Sequence, residues 1–322
     1  MTDKINITLE EYCRPFVGAD NKWPELPLEE QTDLSWWSEW IKETPPIKHF
    51  EGIRNYLPQL WIKPQKEASK SETYKRLVLK GESYNQSKQD AILELSDPGG
   101  FSIRLAKHPC GTLPVIEIED RDDFLSVVRC LAYRCELNTI QPSVHAQAIS
   151  GLIHWGLIRK VNNLLRAKLI ILHRSPYSSL PARLIPGNPT SEKWIELSQH
   201  WRLEHELTHL ATKRLVGEMR LNLYDELIAD ALGMLKALKI FSADLFRIGL
   251  RLNMDSTTEK NGRVHTYLRE VNTQDQLTVC KYALQRAYEL EELITSRSIP
   301  HERIALLRYL TLHRLDQPFE KR

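Results

Sequence analysis

No run of this sequence is long and apolar enough to cross a bilayer as a helix. The most apolar stretch, Ala148 to Ile158, contains His154 and falls well short of the roughly 18–20 residues a spanning helix needs. Charge of one sign is missing too. Lys and Arg number 44 against 42 Asp and Glu, a net of +2, so the whole-chain balance gives no argument for nucleic acid or an anionic membrane as partner. Cysteine is sparse and unpatterned. Cys13, Cys110, Cys130, Cys135 and Cys280 are odd in number and show no CxxC spacing, which fits free thiols in a reducing cytosol and argues against a cysteine-based metal site. Met1 to Glu10 includes Asp3 and Lys4 but no apolar core, so a secretory signal is not expected and the expected location is cytoplasmic. Glycine-rich phosphate loops, internal repeats and heptads are also lacking. What is present is an ordinary globular composition, 42% hydrophobic and 27% charged over 322 residues. That is enough chain for a real core, in one large or two small domains, without disulfides or metal to hold it.

The most informative stretch is Glu204-His205-Glu206-Leu207-Thr208-His209, within a helix predicted from about Ser191 to Val216. Two histidines four apart on a helix share one face, so both imidazoles can converge on one tetrahedral zinc ion. Glu206 points to the neighbouring flank, where it can reach a water activated by the metal without itself being a ligand. Two ligands and a general base thus come from one turn of rigid scaffold. At about 100° per residue, Leu203, Leu207 and Leu210 fall opposite His205. The expectation is that this leucine side is buried while the histidines face outward into a cleft walled by Trp194 and Trp201.

Gly217 is a natural helix stop, and a second helix is predicted through Asn222 to Met234. On it Glu226 and Asp230 are again four apart. A catalytic zinc site usually has three protein ligands and leaves a fourth position for water, so Glu226 is the expected third ligand. Asp230, one turn on, is placed to accept the spare N–H of a ligand histidine and so fix its tautomer.

The run His205-Glu206-Leu207-Thr208-His209 followed by Glu226 and Asp230 resembles the metal-binding helix pair of gluzincin metallopeptidases. The H-E-L-T-H segment is similar to the thermolysin family. The E-x-x-A-D segment is similar to integral-membrane prenyl-protein endopeptidases and to ImmA/IrrE-type bacterial peptidases. The resemblance covers residues 200 to 235 and implies zinc on His205, His209 and Glu226, Glu206 as general base and Asp230 as orienting residue. This chain departs from thermolysin-like proteins in carrying Asp225 where they have Asn, and in having no Asn- and aromatic-rich strand upstream.

Elsewhere the first sixty residues are rich in Trp and Pro. Asp33 is expected to cap a short helix through Trp36, Trp37 and Trp40 that ends at Pro45-Pro46, anchoring a wrap onto the core. Residues 63–88 read as a polar connector or solvated helix. Ala91–Leu95 and Phe101–Leu105 read as strands joined across Asp97-Pro98-Gly99-Gly100, with Leu113–Ile118 as a third. Asp120 is expected to cap an amphipathic helix. A further helix is predicted from Gln141 to about Leu165, carrying His145 and His154 as hydrogen-bonded core or rim residues. Ala167–His173 reads as a buried strand. Residues 167–186 are either plain core or an edge that pairs with extended substrate. Beyond Met234 the pattern is helical, interrupted by a polar loop at Asp255–Gly262. A donor for the oxyanion of a tetrahedral intermediate is sought among His265, Tyr267 and Tyr224.

The sequence therefore predicts an α+β protein. A mixed N-terminal region, 1–118, carries a small antiparallel sheet, and 119–322 form a mostly helical zincin-like half. The predicted function is a cytoplasmic zinc metallopeptidase with one zinc per chain, acting on a peptide or protein substrate. The alternatives are a zinc hydrolase of one dedicated or non-peptide substrate, and a metal-free helical interaction protein.

Overall fold

The computed structural model describes residues 7–30, 33–85, 92–161 and 167–320. They fall into two compact units, one of Met1–Glu25 with Pro176–Arg322 and one of Leu26–Ser175. The chain starts the first unit with α1 (Leu9–Cys13), builds the second, then returns. The expected break at residue 118 does not coincide with this division. The physical reason is the sheet, which needs a strand as late as residue 173 to be complete.

The second unit contains α2 (Leu34–Glu43), α3 (His49–Ile53), α4 (Glu72–Tyr74), β1 (Phe101–Ala106), β2 (Leu113–Ile118), α5 (Arg121–Ala132), β3 (Ala146–Leu152), α6 (Trp155–Val161) and β4 (Ala167–His173). The sheet order is β1-β2-β4-β3. β1 and β2 pair antiparallel, with Phe101 opposite Ile118, and β3 and β4 pair antiparallel, with Ala148 opposite Ile170. β2 and β4 run parallel, so the class is α+β as expected, but the sheet is mixed rather than wholly antiparallel. Parallel neighbours need a crossover, and the segment holding α5, β3 and α6 supplies it.

Three local expectations change here. The Asp-Pro-Gly-Gly turn forms, with Asp97 Oδ1 accepting from the Gly100 amide at 3.0 Å, but it leads into β1 only. Ala91 lies outside the described residues, and Ile92 makes a single bridge to Ile62. The helix predicted from Gln141 is instead β3 followed by α6, with residues 162–166 outside the description. Gly151, at φ 85, is poor helix material, and the edge of β4 captures the segment as a strand, tertiary pairing overriding a helical period. In the 63–88 stretch, Ala68, Tyr74, Leu77 and Val78 are buried and anchor it to the core, while the rest of its described part is half-buried or exposed; residues 86–88 are not described.

β4 lies between β2 and β3 with both sides paired. It has no free edge, so Ala167–His173 is a core strand and cannot take the substrate-pairing role considered for 167–186. The tryptophans behave as anchors. Trp36, Trp37 and Trp40 are buried in the core with Phe50, Phe101 and Phe124. Asp33 stands at the N-cap of α2 but makes no side-chain cap bond, whereas Asp120 does cap α5, accepting from Asp122 and Asp123. His154 is a core histidine, its ring edge-on to Trp36 and its Nδ1 accepting from the Leu157 amide at 3.1 Å.

The rest of the first unit is helical: α7 (Ser191–Leu215), α8 (Leu223–Leu238), α9 (Ala243–Leu250), α10 (Thr273–Thr295) and α11 (Arg303–Thr311). Thr190 caps α7 through the Lys193 amide, and Gly217, at φ 75, follows its end. Asn222 caps α8 by accepting from the Asp225 amide. No helix among the described residues is long and apolar enough to cross a membrane.

Candidate metal centre

α7 and α8 pack closely because Gly233 leaves room for Trp201. A Cβ built on Gly233 would stand 2.4 Å from Trp201 Cδ1 and 2.9 Å from its carbonyl oxygen. The face that α7 turns to α8 is not its leucine side. Leu207 is buried as expected, but Leu203 and Leu210 are only half-buried, while His205 and His209 are 6% and 9% exposed. The expectation of outward-facing histidines is thus reversed, because α8 brings polar partners that make the histidine face the better one to bury. Trp194 and Trp201 are likewise packed rather than walls of a cleft, with Trp201 Nε1 donating to Asp230 Oδ1 at 3.1 Å.

The predicted ligands meet. His205 Nε2 and His209 Nε2 are 3.1 Å apart. Glu226 presents Oε2 at 3.5 Å from His205 Nε2 and Oε1 at 3.3 Å from His209 Nε2. Ligand atoms bound at about 2.0–2.2 Å to one tetrahedral cation sit about 3.3–3.6 Å from one another; one atom from each of the three residues already lies within 4.8 Å of the others.

Their partners aim them. Asp230 Oδ1 lies 2.9 Å from His205 Nδ1. A carboxylate can only accept, so His205 carries its proton on Nδ1 and turns the lone pair of Nε2 toward His209 and Glu226. Asp230 is heavily held: Tyr177 Oη and Trp201 Nε1 also donate to Oδ1, and Arg263 donates to Oδ2 at 3.0 Å. On the other side, His209 Nδ1 lies 3.3 Å from Asp225 Oδ2, outside good hydrogen-bond alignment. His209 Nδ1, Asp225 Oδ1 and Glu226 Oε2 are buried without hydrogen-bond partners. Such orphans are costly, and a cation among the three ligands would satisfy Glu226 and draw His209 into place. The donor set, two imidazoles and a carboxylate, suits zinc.

Electrostatics point the same way. Burial pushes the Glu226 carboxyl up, but His205, His209 and Arg263 outweigh it and bring it to about 2. Burial likewise opposes the Asp230 charge, and Arg263 and His205 overcome it, holding that carboxyl well below its usual range. For His209, burial lowers the pKa while Asp225 and Glu226 raise it further, leaving it well above the ordinary value. Of the three α8 carboxylates, Glu226 and Asp230 lie within ion-pair distance of the Arg263 guanidinium, and Asp225 within that of His209. In the metal-free protein the raised His209 also carries positive charge against these carboxylates, and a bound cation would take the place of its proton.

The remaining predicted residues divide. Glu206, beside His205, is half-exposed and outside the cluster of facing ligand atoms, with no hydrogen bond or ion pair among the described residues. Tyr267 lies against Glu226; burial first, then that charge against the opposing pull of Arg263, pushes its phenol well above the usual value. His265 is exposed and turned to the Glu259 carbonyl at 2.9 Å. Tyr224 is fully buried and donates to the Leu310 carbonyl at 2.6 Å, toward α11. These two are not brought to the centre. Four residues at the centre were not singled out from sequence: Tyr177, Trp201 in its role on Asp230, Arg263, and Asp225 as partner of His209. Only Asp225 carried a local signal, being one residue before the ligand Glu226.

One family model, described as a family of unknown function (DUF7005), matches residues 3–168 and 160–317. No curated protein and no solved structure matches the chain.

Proposed function

The chain belongs to the DUF7005 family, and we propose that it is a zinc-dependent metallopeptidase with His205, His209 and Glu226 as ligands and Glu206 as general base. The observation that carries this reading is the mutual approach of the three ligand groups at 3.1–3.5 Å, with a carboxylate behind each imidazole. When bound, zinc supplies a Lewis acid that polarises the scissile carbonyl and lowers the pKa of a water. Glu206 takes the proton from that water and passes it to the leaving amine. Asp230 and Asp225 stand behind the two imidazoles, and Tyr267, against Glu226, is the proposed donor to a developing oxyanion. Five free, buried cysteines support a reducing cytosolic setting.

The test is Glu206→Gln. It should keep about one zinc per chain while turnover falls by about 10²–10⁴-fold; a fully active variant rules the mechanism out. Burial favours one second reading. With the ligand residues between 3% and 9% exposed, access to the metal is narrow, which suits a single dedicated target or a small non-peptide amide or ester. Screening zinc-loaded protein against denatured proteins and peptide libraries separates the two, since uniform inactivity there favours the narrow substrate.

A further inference from the structure

Arg263 sits in a 3₁₀ turn (Arg263–Thr266) outside both metal helices, yet it reaches two of the three α8 carboxylates. Its Nη2 is 3.0 Å from Asp230 Oδ2 and 3.5 Å from Glu226 Oε2. Its Nη1 donates to Ser178 Oγ at 3.1 Å and to Tyr177 Oη at 3.3 Å. The side chain is 15% exposed and its guanidinium lies over the rings of Tyr177 and Tyr267. A bound zinc would share the Glu226 carboxylate with this guanidinium, so two cations would face one carboxylate.

On the footing of the metal reading above, we propose that Arg263 is a built-in counter-cation that holds the metal-free site together and competes with the metal for it. An ordinary positioning residue strengthens metal binding, and its removal weakens affinity about 10–100-fold. Arg263 acts in the opposite sense for two reasons. Asp230, which orients His205, keeps three other donors, from His205, Tyr177 and Trp201, if the guanidinium goes. Little positioning is therefore lost. The guanidinium relieves repulsion among buried carboxylates only while no metal does so; once a dication is bound, its own positive charge opposes it. By linkage, whatever stabilises the metal-free state more than the loaded state lowers metal affinity.

The experiment measures zinc affinity by chelator competition, and melting with and without zinc, for wild type, Arg263→Gln, Arg263→Lys and Ser178→Asp. Arg263→Gln should bind zinc about tenfold more tightly, melt lower than wild type when metal-free, and gain more on zinc addition. Arg263→Lys, which keeps the charge, should stay near wild type. Ser178→Asp keeps Arg263 but offsets its charge from the Nη1 side, and Asp tolerates the left-handed backbone at φ 47 there; it should tighten zinc in the same direction. If the Gln variant folds only with zinc, the proposal stands in its extreme form. If it folds in neither state, Ser178→Asp decides. Unchanged or weaker zinc binding in the Gln variant, or in Ser178→Asp where that decides, overturns the proposal. A wild type that binds no zinc removes the metal reading and this inference together.

Discussion

Gly233→Ala separates two opposite expectations. Within an exposed helix, replacing Gly by Ala stabilises by about 1 kcal/mol. Gly233 is not exposed. The new methyl would lie 2.4 Å from Trp201 Cδ1, 3.0 Å from Nε1 and 2.9 Å from the Trp201 carbonyl oxygen. The ring could rotate away, but a backbone oxygen cannot, so α7 and α8 must part. Overpacking of this kind costs about 1–3 kcal/mol or more, and the propensity gain offsets about 1 kcal/mol of it. The net loss is about 0–2 kcal/mol, and melting should fall by up to about 8 °C for a unit of this size. Because Trp201 also donates to Asp230, zinc affinity should fall with it. Differential scanning calorimetry and chelator titration read both effects. A variant more stable than wild type, with unchanged zinc binding, would refute the close packing from which the site is built.

Asp230→Asn removes the charged acceptor behind His205 and should weaken zinc about 10–100-fold without unfolding the protein; chelator competition reads it, and equal affinity sinks the orienting role. Zinc in hundredfold excess over its dissociation constant should stabilise by about 2.7 kcal/mol, raising melting by about 5–10 °C, and His205→Ala should abolish that response. His154 gives a pH signature away from the metal. Burial holds its imidazole down at about 3, against 6.5 when unfolded, so the unfolded chain binds the extra proton between those values. Its contribution is complete above about pH 6.5 and is lost as pH falls toward 3, with a slope of up to about 1.4 kcal/mol per unit. His154→Asn should flatten the stability profile between pH 6.5 and 4; an unaltered slope would contradict the assignment.

The ligand set was legible because it lies in two short helical segments, where spacing alone decides which side chains share a face. The stop at Gly217 made the end of α7 readable, and the caps at Thr190 and Asn222 appear only in the structure. What escaped depends on distant chain. Tyr177 meets Asp230 across 53 positions and Arg263 meets it across 33, and nothing local in either stretch announces it. The burial of α7 was misread for a related reason. A helical wheel ranks Leu203, Leu207 and Leu210 as the face to hide, and of these only Leu207 is buried; carboxylates on a neighbouring helix make a polar face buriable, and α8 supplies three. β3 was missed because apolar residues at 149, 152 and 153 fit a helix, and only β4 alongside selects the strand.

The most direct measurement is elemental analysis of purified wild type beside His205→Ala, each prepared without added metal or chelator. The account predicts about one zinc per wild-type chain, as a site with two histidines and one glutamate implies, and close to none in the variant. Wild type without metal, melting identically before and after zinc addition, would contradict it.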